Sequence, residues 1–123
     1  MSQAASQAAA FYREVAISRK VWTIRDSGGY AAPIGSGGKR VQPFWSSLAR
    51  VERVISSVPA YAGFTPDEIS WDKFLAAWVP GLTRDGILVG VNWSGDRALG
   101  YDIEPAQLAA NVAANAEGAR HDV

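Results

Sequence analysis

Ile87-Leu88-Val89-Gly90-Val91-Asn92-Trp93 (ILVGVNW, residues 87–93) is the strongest strand signal in the chain. Asp85-Gly86 makes a turn into it, and Ser94-Gly95-Asp96-Arg97 turns the chain back after it, the punctuation expected around a strand. Alternation puts Ile87, Val89, Val91 and Trp93 on one face and Leu88, Gly90 and Asn92 on the other. Both faces are mostly apolar, so both should be covered, by helices of this chain or by a second subunit. Tyr101-Asp102-Ile103 is expected to pair back onto it as the second arm of a hairpin.

Working outward, the remaining elements fall into place around that strand. On the C-terminal side, Pro105 suits the first position of an alanine-rich helix running to about Asn115. Upstream, Ser70 is placed to cap a helix from Trp71, whose stripe is Phe74, Leu75, Trp78 and Val79, with Pro80-Gly81 expected to kink or end it. Glu68-Ile69 reads as a brief strand. Ser46 or Ser47 caps a helix to about Ser57 that buries Leu48, Val51 and Ile55 and is stopped by Pro59. Val41 to Trp45 is a strand, Val21 to Arg25 another, and Tyr30 to Ile34 a returning edge strand that contains Pro33. Residues 3–19 carry Ala4, Ala8, Phe11 and Val15 at helical spacing. The order is α-β-β-β-α-α-β-β-α. It predicts an α+β domain, a small antiparallel or mixed sheet with about four helices packed on it.

The 123 residues read as a single domain, with 116–123 expected to be a flexible tail. At 13.1 kDa the chain should expose roughly 6,400 Å² folded against about 19,000 Å² unfolded, enough burial for a core without disulfides or metal. Cysteine is absent, which fits a reducing compartment and excludes thiolate ligands. Residues 1–10 lack the basic and apolar regions of a secretion signal, and no apolar run approaches membrane-spanning length. The expected location is cytoplasmic. Net formal charge is zero, yet residues 1–53 hold eight basic groups against three acids, and residues 54–123 hold four against nine. A sheet that mixes the two halves would cancel this polarity.

Motifs that could carry chemistry are scarce. Gly35-Ser36-Gly37-Gly38-Lys39-Arg40 resembles a phosphate loop, but Pro33 stands where a glycine is required and Arg40 where a Ser or Thr should bind Mg²⁺. No Gly-x-Gly-x-x-Gly joins a strand to a helix. The one histidine, His121, is third from the end, so no serine triad has a base. Asp67, Glu68 and Asp72 are better read as solvated, helix-capping acids than as a carboxylate pair. Neither catalytic residues, nor a metal site, nor a cofactor is expected.

Five tryptophans remain. Trp22, Trp71 and Trp78 read as core. Trp45 and Trp93 lie at strand ends beside Ser46, Ser47, Asn92 and Ser94, where a rigid scaffold presents binding groups. Together with Arg40, Tyr101 and Arg25 they are the candidate binding residues, since aromatics and arginine anchor interfaces. The expected partner is another protein or a second copy of the chain. Nucleic acid, which a patch of Arg25, Lys39, Arg40, Tyr30 and Trp45 could contact, is disfavoured by the neutral charge. The alternative is a small ligand, or an unrecognised enzyme, with Arg25, Arg40, Trp93 and Asp102 converging on a pocket.

The segments PFWSS (43–47), PAYAGF (59–64), WDKF…W.PGL..DG (71–86), VGVNWSG (89–95) and GYDIEP (100–105) together resemble domain-of-unknown-function family 2750, small bacterial proteins. The resemblance covers about Ala8 to Leu108. It implies a single compact domain of helices and strands and brings with it no activity, substrate or site residues. A more distant likeness, to SseB amino-terminal domains, concerns architecture alone.

Overall fold

The computed structural model describes residues 2–121. Thirteen short elements follow one another: α1 (Gln3–Ser18), β1 (Lys20–Asp26), β2 (Gly29–Tyr30), β3 (Val41–Phe44), α2 (Leu48–Ser57), a 3-10 turn (Pro59–Tyr61), β4 (Thr65–Ser70), α3 (Trp71–Lys73), a π segment (Phe74–Trp78), α4 (Val79–Asp85), β5 (Leu88–Ser94), β6 (Leu99–Ile103) and α5 (Pro105–His121). Because α3, the π segment and α4 run on as one helical stretch, four helical bodies pack on the strands, and the fold is α+β. Helix α5 continues past Asn115; Asp122 and Val123, the end of the expected tail, lie outside the described residues.

The strands form two small sheets. Antiparallel β2-β1-β4 is one; in the other, β3 lies parallel to β5, and β5 antiparallel to β6. They meet at a seam where Trp22 and Trp45 exchange both main-chain hydrogen bonds, at 2.9 and 2.7 Å. Pro43 explains why the seam is short. Its carbonyl faces β1 and accepts the Thr23 hydroxyl at 2.8 Å, so its nitrogen faces the same way and has no hydrogen to give. The ladder cannot extend past it.

Helices cover both faces. Phe11 and Val15 of α1, Leu108 and Val112 of α5, and Phe74 and Leu82 of the 71–85 stretch pack on Val21, Phe44, Val89 and Val91. On the opposite face Val51 and Val54 of α2 meet Ile24, Val41, Trp45 and Trp93. The two-sided apolar character of β5 is therefore satisfied within the chain, without a second subunit. Interleaving also cancels the charge polarity: Arg19–Asp72, Lys20–Glu68 and Lys39–Glu104 each pair a base of the first half with an acid of the second.

Four departures from the sequence reading have physical causes. The strand expected over Tyr30 to Ile34 shrinks to Gly29–Tyr30, the chain then leaving β1 through Pro33, with Ile34 bridging Arg40 instead. β4 is longer than the two residues expected because its main chain pairs with β1 over all six residues although only Ile69 is buried; Pro66, Asp67 and Glu68 hide its periodicity. Pro80 neither ends nor breaks its helix. The preceding turn widens, the Val79 N–H reaching back to Phe74 O, and an i to i−5 turn accommodates the missing proline donor.

The fourth departure lies in β5 itself. Asn92 has φ of 48°, and the β5–β6 register slips between Val91 and Ser94, a β-bulge that re-aims the next side chain. Trp93 is carried away from Val89 and Val91 onto the Gly90 face. A Cβ built on Gly90 would lie 2.4 Å from Cε2 of Trp93, and one on Gly100 3.0 Å from its Cδ1. Both glycines are required so that the indole can lie flat on the sheet. We expect Gly90→Ala to destabilise the fold by about 2 kcal/mol or more, measured by chemical denaturation. An unchanged midpoint would show that the ring is free to move aside.

Candidate functional site

Strand ends 45–46 and 92–93 are joined side by side. The Trp45 indole N–H donates to Trp93 O at 2.8 Å, and the buried Ser46 N–H donates to Asn92 Oδ1 at 2.9 Å. Asn92 Nδ2 donates in turn to Gln7 O and Ser46 Oγ, at 3.1 and 3.0 Å. The Ser46 hydroxyl donates to Glu14 at 2.7 Å, and Arg50 holds both oxygens of the same carboxylate, at 3.1 and 2.7 Å. Arg50 keeps the Glu14 carboxyl below the usual carboxylate range, against the opposing effect of burial. This network ties α1, α2, β3 and β5 together. Every buried side-chain polar atom among the described residues has a partner, so the network reads as structural cement.

Of the five residues expected to bind, the structure brings only Trp45 and Trp93 together. Trp45 is 1% exposed and Trp93 6%, while Trp22 and Trp78, expected in the core, are only partly buried. Arg40 turns back on its own loop, donating to Ala32 O at 2.8 Å. Arg25 lies over the Tyr30 ring, 5.3 Å from its centre, beside a separate hollow that Tyr30 and Trp78 line. Tyr101 is exposed on β6, and alternation sets it on the side of Ile103, which packs on the α1/α5 core, away from Trp93 and Asp102. The convergence imagined for Arg25, Arg40, Trp93 and Asp102 is realised only in the last two.

Trp93 is nevertheless the wall of two hollows. The smaller, about 130 Å³, lies against Trp45, Arg50, Arg53 and Asp96 and has room for only a few water-sized groups. The larger is a groove of about 480 Å³ between the 33–36 loop, Tyr61 and the β5–β6 hairpin. Its walls are aromatic, Trp93 and Tyr61. Ile34 borders it with 60% of its surface exposed. The Trp93 indole N–H donates to one oxygen of Asp102 at 2.9 Å. Neither Asp102 nor Arg97, which lines the same groove, has an ion-pair partner among the described residues. Burial raises both the Asp102 carboxyl and the Tyr61 phenol above their ordinary ranges, and for Asp102 the indole bond opposes this.

The arrangement offers a concave surface with aromatic walls and a charge of each sign. Asp67, Glu68 and Asp72 are separately engaged by the Tyr30 hydroxyl, Lys20 and Arg19. Among the described residues no group of three His, Cys, Asp or Glu is placed to hold a metal ion, and no helix is long and apolar enough to cross a membrane.

The family model described as "Protein of unknown function (DUF2750)" matches residues 8–112. The chain belongs to the DUF2750 family. The match bears out that resemblance and does not touch the SseB-type one. No curated protein matches this DUF2750 chain. In it, the PFWSS and VNWS segments that carried the resemblance turn out to be the two strand ends joined through Trp45, Ser46, Asn92 and Trp93.

The two carboxyls shift oppositely, which sets opposite pH signatures. Ionised Asp102 is less comfortable folded than unfolded, so Asp102→Asn should raise the melting temperature at neutral pH, the gain vanishing below about pH 4, where both forms are neutral. Glu14 is more comfortable folded, so Glu14→Gln should lower it at neutral pH, the loss shrinking as pH falls below about 4. Melts of the three proteins from neutral pH to about pH 3 test both signs; parallel curves would contradict them.

Proposed function

We propose that this DUF2750 domain works by recognising another protein and performs no chemistry of its own, and that the groove over Trp93 is where the partner docks. The observation that carries the reading is the company Trp93 keeps: a concave, aromatic-walled groove with the exposed Ile34 side chain on its border and two opposite charges without ion-pair partners within reach. A scattered exposed leucine means little, but apolar groups gathered at a groove with a polar rim are the usual anatomy of a docking site. Arginine and aromatic residues are the side chains from which binding energy is most often drawn. The lack of cysteine is compatible with work in a reducing cytoplasm.

A small ligand is the second reading, favoured by one observation: about 480 Å³ falls inside the range typical of ligand pockets. Such a ligand would be amino-acid-like, offering an anion to Arg97, a cation to Asp102 and an apolar body to Trp93 and Tyr61.

Selection of a displayed library of random short peptides on the immobilised protein separates the two. The proposal expects convergence on a motif whose members bind Ile34→Asp and Arg97→Ala about tenfold more weakly, with melting temperatures unchanged because both side chains are exposed. Convergence on peptides indifferent to both variants, or no convergence at all, would sink it. Stabilisation by free amino acids without peptide enrichment would favour the small ligand.

A further inference from the structure

The two outer strands of this molecule are treated very differently. β4 carries Pro66, which has no donor, and Asp67 and Glu68, which are engaged by Tyr30 and Lys20. These are the usual means by which an edge is kept from pairing with another chain. β6, Leu99-Gly100-Tyr101-Asp102-Ile103, has no proline, and its one charge, Asp102, is turned across the face of the sheet onto the Trp93 indole. It pairs only with β5, and no hydrogen bond from any other segment of the described residues reaches its main chain. Leu99 and Tyr101 are exposed on it. An unguarded edge bearing apolar side chains is a template for strand addition.

We propose that β6 is a self-association edge, along which two copies of the chain pair antiparallel about a two-fold axis at Tyr101. The side-chain pattern of the strand selects a copy of itself as the occupant. With Tyr101 opposite the partner subunit's Tyr101, Leu99 faces the partner's Ile103 and Gly100 faces the partner's Asp102. Every apolar or aromatic residue meets another on one side of the joined sheet. On the other side the single charge meets a glycine, never its own kind. Cross-strand aromatic and aliphatic pairs stabilise such a ladder, and directly opposed like charges would break it. The register that avoids the clash is also the symmetric one, as an isologous interface requires. Zero net charge leaves no global repulsion against the association.

This inference adds an assembly to the docking reading without depending on it. The groove lies on the Asp102 side of β6 and the two-fold residue on the other. Antiparallel pairing within one sheet turns the partner about an axis normal to the sheet, so both grooves open on the same face. The pair would be a bivalent receptor, able to exceed the affinity of either groove for a partner with two copies of its motif.

A residue on a two-fold axis meets itself, and that supplies the test. Tyr101→Asp and Tyr101→Lys each place like charges opposite one another, and Tyr101 is exposed enough for both variants to fold, which circular dichroism checks. Light scattering at micromolar concentrations should give the mass of a dimer for the unmodified protein and of a monomer for each variant. An equimolar mixture of the Asp and Lys variants should return to the dimer mass, and lose it again in high salt. A monomeric unmodified protein, variants that stay dimeric, or a mixture that stays monomeric would each overturn the proposal. If the dimer forms as described but peptide selection fails, the docking reading falls and the assembly stands; the converse result separates them the other way.

Discussion

The rest of the structure depends on how the end of β3 is joined to the bulge in β5. A bulge leaves the main chain of the bulged strand out of step with its neighbour, and an unpaired buried carbonyl is expensive. At Trp93 that carbonyl is taken by the indole of Trp45. At Asn92 the side chain does the work of a strand partner, meeting the Ser46 amide and reaching α1 through Gln7. Burying Trp45 removes on the order of 200 Å² from water, about 5 kcal/mol at 25 cal/mol per Å². That gain would be much reduced if its N–H had nowhere to go. Once these two strand ends are fixed, the Glu14–Arg50 pair has a framework to close on, and the groove has a floor.

The order of elements was legible because each carries its own local signal. Ser47 and Ser70 cap the helices they precede, Gly86 in a left-handed conformation ends α4, and the apolar run of β5 is buried as its composition requires. What escaped the sequence were features set by neighbours. β4 has no apolar alternation since Ile69 is its only buried residue. The widened turn before Pro80 is a response to backbone geometry and has no residue pattern of its own. Trp93 changed faces owing to a left-handed Asn92, and a polar residue inside an otherwise apolar strand run was the one visible warning.

The candidate site was partly legible for the same reason. Trp45 and Trp93, both expected to bind at strand ends, lie together, but strand ends suggested surface; Trp45 is buried on the Val41 face of its strand, and the bulge turned Trp93 inward. Glu14, Arg50 and Arg97 gave no sign, since a charge in sequence looks the same whether it faces solvent or its counter-ion. Arg40 and Arg25 drew attention through aromatic neighbours that proved to be local, in loops and strands of their own. What is left accessible is a groove whose aromatic walls are held rigidly from behind, a common division of labour between scaffold and recognition surface.

The pairing of distant strands has a bearing on how the polypeptide is made. β1 finds its long partner only in β4, and β3 only in β5, so a nascent chain emerging amino-terminus first carries apolar strands with nothing to pair with. The first sheet cannot close until the segment through Ser70 has cleared the ribosome, nor can β3 pair with β5 until that through Ser94 has, and closing such long loops is what makes a topology slow. During that interval the early helices α1 and α2 hold most of the local order. Their aliphatic stripes then stay in water until the sheets they pack on have formed.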